Sequence, residues 1–109
     1  MELWGSGEVY REFLYVDDMA DACVFLMKNY NYENIGEFIN IGTGKDITIK
    51  ELAQMIKEEI DFQGNIKWDK SKPDGTPRKL LDVSKLNSLG WQSSISLEKG
   101  IKSTYNKYL

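Results

Sequence analysis

The chain has 109 residues, with 14 basic and 17 acidic side chains, a formal net charge of −3, one cysteine and no histidine. That length suits one small domain or a piece of a larger one, and the acidic balance gives no support to nucleic-acid binding. The lone Cys23 excludes an intrachain disulfide, and the absence of histidine excludes a Ser-His or Cys-His nucleophilic pair within the chain.

In chain order, Trp4 to Tyr10 read as a turn, with Gly5 and Gly7 flanking Ser6. Glu12 to Val16 is aromatic and β-branched and suits a short strand. Asp17 then stands as the cap of a helix running to about Tyr30. Val16, Met19, Ala20, Cys23, Met27 and Tyr30 recur at three- to four-residue spacing and predict its buried stripe. After a polar connector, Glu37 to Ile41 reads as a strand, with Phe38 and Ile39 suited to burial. Gly42-Thr43-Gly44 closes it. Thr48 and Glu51 form a capping-box pair, which predicts a helix from Ile49 to about Ile60 with Leu52, Ala53 and Ile56 on its core face.

Asn65 to Trp68 suits a short strand. Residues 69–79 hold both prolines and the turn signature Pro73-Asp74-Gly75, so they predict an ordered loop. Ser84 is read as the cap of a short helix that Gly90 stops, and Ser96 as the cap of a last helix through Tyr108. The expectation is a mixed, helix-rich α/β chain with about four helices and two or three short strands. Those strands are too few for a free-standing doubly wound sheet, a first sign that part of the fold is missing.

Chemistry-bearing residues are sparse. Arg11 and Arg78 are the only arginines, and each stands beside a tight turn. Arginine forks and a lysine such as Lys79 suit phosphate oxygens, so two cationic loops and the loop residue Trp4 fit a nucleoside diphosphate. Pairing of each arginine with a surface carboxylate is the structural alternative. Gly5-Ser6-Gly7 lacks the third glycine of a dinucleotide fingerprint, because Tyr10 stands there. Gly42-Thr43-Gly44-Lys45 lacks the spacing of a phosphate loop. Asp17 and Asp18 are read as helix-capping rather than metal-binding, and Cys23 as inert core. No tyrosine has lysine four residues on. The start of the chain lacks the basic region and apolar core of a signal peptide, and no stretch has the ~20 apolar residues of a membrane span. The expected location is the reducing cytoplasm.

Several phrases resemble one family. Trp4-Gly-Ser-Gly with Arg11-Glu-Phe-Leu-Tyr-Val-Asp-Asp-Met-Ala-Asp-Ala is similar to the carboxyl-terminal third of the GDP-L-fucose synthases, extended short-chain dehydrogenase/reductases. So are Asn40-Ile-Gly-Thr-Gly, Lys72-Pro-Asp-Gly-Thr-Pro-Arg-Lys-Leu-Leu-Asp-Val, Leu89-Gly-Trp and Ser96-Leu-Glu-Lys-Gly-Ile. Tyr15 departs from the pattern, where histidine is frequent, and so does the tripeptide Glu8-Val9-Tyr10.

The resemblance implies that residues 1–109 are the substrate-binding part of an NADP(H)-dependent enzyme. That enzyme epimerises carbons 3 and 5 of GDP-4-keto-6-deoxy-D-mannose and then reduces the 4-keto group. Trp4, Arg11, Asp74 and Lys79 are implied to bind the GDP-sugar. No catalytic, cofactor-binding or metal-binding residue is expected in this chain. The Rossmann part that holds NADP(H) is expected upstream, which leaves an incomplete Rossmann lobe here; full-length members are expected to be homodimers, and the 109 residues alone are expected to be inactive. The alternatives are a non-catalytic association module, or part of an enzyme acting on another sugar nucleotide.

Overall fold

A computed structural model describes all of residues 1–109. The molecule is a thin slab of 51 × 32 × 17 Å. Its radius of gyration is 16.7 Å, against about 13 Å for a compact domain of this length. Only 10 of the 109 residues are buried, so the interior is a thin seam rather than a closed core.

The five strands are β1 (Glu2–Trp4), β2 (Tyr10–Arg11), β3 (Ile47–Thr48), β4 (Lys67–Asp69) and β5 (Arg78–Lys79). The five helices are α1 (Val16–Asn29), α2 (Tyr32–Ile35), α3 (Ile49–Glu59), α4 (Ser84–Ser88) and α5 (Leu97–Tyr108). The mixed α/β, helix-rich character is as the sequence predicts. The additional elements are single-turn or two- to three-residue pieces, too short to leave a periodic signal. β1 pairs parallel with β4, while β2 lies between β3, antiparallel to it, and β5, parallel to it.

Two helix starts show how local chemistry sets boundaries. Thr48 and Glu51 form the reciprocal capping box of α3, with both hydrogen bonds at 3.1 Å. Ser96 caps α5 through the Lys99 amide. α1 differs from expectation: its cap position is Tyr15, with no side-chain cap bond, and both aspartates lie inside the first turn. The predicted strand at 12–16 is likewise displaced. Pairing stops at Arg11, and the helix begins at Val16. The N-cap of α4 is Val83 rather than Ser84, whose amide instead bonds the Asp82 carboxylate. Gly90 ends that segment at φ 105°, a conformation suited to glycine.

The burial of α1 is the main correction to the sequence reading. Asp18, Ala22 and Leu26 are its buried residues. Ala22 and Leu26 pack with Leu86 and Trp91, and Phe25, Ile39 and Ile41 lean against this cluster. Of the predicted stripe only Tyr30 packs against this cluster; Val16, Met19 and Met27 are 65%, 40% and 83% exposed, and Cys23 is exposed rather than core. α1 therefore has two apolar faces, of which the 109 residues cover one. Residues 37–41 form no strand, and Phe38 is 76% exposed. A segment with strand composition that lacks a pairing partner stays irregular, because sheet stability comes from cross-strand pairs.

Asp18 replaces the expected cap with a tertiary role. Its buried carboxylate accepts from the Ser94 amide and hydroxyl and from the Ile95 amide, at 2.9–3.4 Å. That ties the start of α1 to the approach of α5. Trp91 adds a second tie, donating its indole N–H to Asp21 at 2.8 Å.

Candidate substrate-binding site

The two loops singled out in the sequence meet around β2. In-register residues of adjacent strands share a face. Tyr10 pairs with Arg78, and Arg11 with Lys79. Arg11 and Lys79 therefore stand side by side on one face, 68 residues apart in sequence. Lys79 is exposed and Arg11 half-buried. Arg11 Nη1 donates to the carbonyls of Tyr10 at 2.6 Å and Thr76 at 2.7 Å. These bonds fix the guanidinium against the double-proline loop, and no carboxylate neutralises it among its hydrogen-bond partners.

Arg78 behaves differently. Its Nε lies 2.8 Å from Asp46 Oδ2, and its guanidinium stacks 4.3 Å over the Tyr10 ring. The N–H does not line up on that oxygen for a hydrogen bond, so the pairing is ionic contact rather than a fork. Arg78 thus follows the structural alternative, an ion pair with a carboxylate.

Trp4 ends β1 and is 71% exposed, with Lys72 Nζ 4.9 Å from its ring centroid. The turn after it is pinned by Asp74. The Ser6 amide donates to Asp74 Oδ1 at 2.6 Å and the Ser6 hydroxyl to Oδ2 at 2.8 Å. These two bonds hold the Asp74 carboxyl below its ordinary value, because both stabilise the charged form. Gly5, at φ 91°, lies so close to the Asp74 carboxylate that a side chain there would collide with it. Asp74 thus joins the Trp4 turn to the loop that leads to Lys79. The 72–79 loop thus links the turn after Trp4, through Asp74, to Arg11 and Lys79.

One residue of this region was not singled out in the sequence. Glu12, next to Arg11, gathers three segments. Its Oε2 accepts from the Gly44 amide at 2.6 Å and the Thr43 hydroxyl at 3.3 Å, and its Oε1 from the Leu81 amide at 3.2 Å. A Cβ at Gly42 would stand 2.7 Å from this carboxylate. Gly42-Thr43-Gly44 is thus a turn wrapped around an acid rather than a phosphate loop. The paired glycines signalled the tight turn, but nothing in the sequence said which carboxylate it would enclose.

An apolar groove of about 400 Å³ lies elsewhere, between α3 and α5, and holds none of these four residues. No group of three or more His, Cys, Asp or Glu side chains is placed to hold a metal ion. No helix is long and apolar enough to cross a membrane.

The family model for the NAD dependent epimerase/dehydratase family matches residues 1–42. GDP-L-fucose synthase 1 of Arabidopsis thaliana is 54% identical over 107 residues, covering 98% of this chain and 32% of that protein. Among solved structures, a GDP-6-OMe-4-keto-L-xylo-heptose reductase from C. jejuni superposes with a TM-score of 0.92 at 42% identity, over 98% of this chain and 33% of that one. A GDP-L-fucose synthetase from Naegleria fowleri, solved bound to NADP, gives 0.87 at 32% identity over 98% and 33%. The chain spans about a third of the length of these relatives. In sequence and in fold, it is similar to the carboxyl-terminal third of the GDP-L-fucose synthases, and its first 42 residues match the NAD dependent epimerase/dehydratase family model.

Proposed function

We propose that residues 1–109 are the GDP-sugar-binding part of a GDP-L-fucose synthase. The whole enzyme would convert GDP-4-keto-6-deoxy-D-mannose to GDP-L-fucose by 3,5-epimerisation and NADPH-dependent 4-reduction. The observation that carries this reading is the β2–β5 register, with Arg11 beside Lys79 and without a carboxylate on either. In this reading the two cations clamp the diphosphate, Trp4 covers or stacks on the base, and Asp74 holds the Trp4 turn in place. Binding energy at the diphosphate would then position the sugar for chemistry supplied by other residues.

NADP(H) is assigned to an upstream Rossmann part, and no cofactor or catalytic residue to this chain. The outward face of α1 supports such a partner: a helix apolar on two faces is normally covered on both. In this reading full-length molecules form homodimers in the cytoplasm, and the 109 residues alone do not turn over.

A second reading has a specific observation behind it. Exposed Val16, Met19 and Met27 on α1 also suit pairing of two copies of the chain, as an association module that binds no nucleotide. A third keeps the site but changes the sugar, supported by the likeness to the heptose reductase.

Calorimetric titration with GDP separates the first two. The substrate-binding reading expects saturable binding, weakened about tenfold or more by Arg11→Ala or Lys79→Ala, the scale of a lost charge-assisted contact. Binding unchanged by both substitutions overturns the site. Absence of binding together with concentration-dependent dimerisation favours the association module.

A further inference from the structure

Tyr15, just before α1, lies across the last helix. Its ring packs on Gly100, where an added Cβ would stand 3.2 Å from the ring. The hydroxyl reaches Ser103 Oγ at 2.9 Å, and Lys107 Nζ donates to it at 3.1 Å. Ser103 and Lys107 are one turn apart, so both meet the same phenol. Lys107 Nζ also lies 5.7 Å from the ring centroid. Beside this ring runs a groove of about 400 Å³, bounded by Phe13, Ile56, Leu97, Ile101 and Tyr108. Such a volume suits one aromatic group.

The hydrogen bonds adapt to either state of the phenol. When neutral, its oxygen accepts from Lys107 and its O–H donates to Ser103. When ionised, it accepts from both, because the serine hydroxyl rotates to donate. Two donors on the charged form hold the Tyr15 phenol below its ordinary value, Ser103 first and Lys107 second. Asp17, on α1, opposes them. From α3 and the residue that caps its end, the groove wall presents apolar Ile56 and Ile60.

We propose that Tyr15 is a nucleophilic modification site that takes an aryl sulfonyl group, with the aryl ring seated in the α3–α5 groove. With a sulfonyl fluoride, the phenolate oxygen bonds to sulfur, the S–F bond breaks and fluoride leaves. The phenol proton has already passed to water, Lys107 remains protonated, and no oxidant or reductant is needed. Nothing in this step depends on the GDP-sugar reading.

The test treats the 109-residue protein with benzenesulfonyl fluoride near neutral pH and maps labelled tyrosines by mass spectrometry. Tyr32, 69% exposed and outside the groove, serves as the internal reference. Tyr15 is expected to label about tenfold faster than Tyr32, because the groove seats the aryl ring beside an oxygen that two donors hold in place. Lys107→Met and Ser103→Ala should each slow Tyr15 alone, with helicity by circular dichroism showing the fold retained. Lys107→Arg keeps the charge and a donor should one of these variants misfold, and it should retain the enhanced rate. Methanesulfonyl fluoride, lacking the ring, should lose the preference for Tyr15. Labelling of Tyr15 no faster than Tyr32 overturns the proposal. So does a Tyr15 rate unchanged by loss of Lys107 and of Ser103, or an equal preference for the methyl reagent.

Discussion

Ser6 and Asp74, 68 residues apart, share two hydrogen bonds, of 2.6 and 2.8 Å, that use both carboxylate oxygens. The pair is the mechanical link between the Trp4 turn and the loop before Lys79. Because neither bond survives protonation of the acid intact, the link is pH-sensitive. The folded-state value of Asp74 lies below the ordinary one. Its contribution is therefore complete above about pH 4, the unfolded aspartate value, and is lost as pH falls through the lower folded value. Trp4 fluorescence should change on that acid limb before helicity is lost. Asp74→Asn should remove the early change and loosen the turn at every pH.

Leu86 is the largest fully buried side chain, packed with Ala22, Leu26 and Trp91. In so thin an interior, truncation leaves a cavity with few neighbours to fill it. Leu86→Ala should cost about 2–5 kcal/mol, enough to consume much of a small domain's stability of about 5–15 kcal/mol. Urea denaturation followed by circular dichroism measures it. A loss below 1 kcal/mol, the scale of a surface substitution, would mean that the seam around Leu86 is not the core.

Asp18 carries the joint between α1 and the approach to α5 through three donors. Asp18→Ala leaves the Ser94 and Ile95 amides without their partner and should destabilise by about 1–3 kcal/mol. Asp17→Ala, on an exposed neighbour, should cost far less. The contrast between these two adjacent aspartates, measured in the same denaturation experiment, tests whether the pair is a cap or a tertiary anchor.

The elements with local signals were legible in the sequence. Thr48 with Glu51, Ser96, and Gly90 each mark a boundary through bonds or dihedrals made within a few residues. The meeting of Arg11 with Lys79 was legible only as two cationic loops, since their register is set by pairing across the chain. Glu12 was missed because its three donors come from distant segments. The α1 stripe and the strand at 37–41 follow the usual periodicities, yet the structure leaves them uncovered and unpaired. Periodicity reports which residues are fit for burial, not whether the covering surface lies within the same 109 residues.

That uncovered stripe yields its own expectation. Met27, 83% exposed, sits at its end, so Met27→Lys should change monomer stability by no more than about 0.5 kcal/mol. It should reduce binding of a hydrophobic dye and any self-association seen by analytical ultracentrifugation. A stability loss of several kcal/mol would show that Met27 is buried in solution.

The diphosphate clamp is tested most directly by comparing GDP, GMP and guanosine on the same protein by calorimetry. If Arg11 and Lys79 grip the diphosphate, affinity should fall stepwise as phosphates are removed, and Arg11→Ala with Lys79→Ala should erase the differences among the three ligands. Equal affinity for GDP and guanosine, or a GDP preference that survives both substitutions, would contradict it.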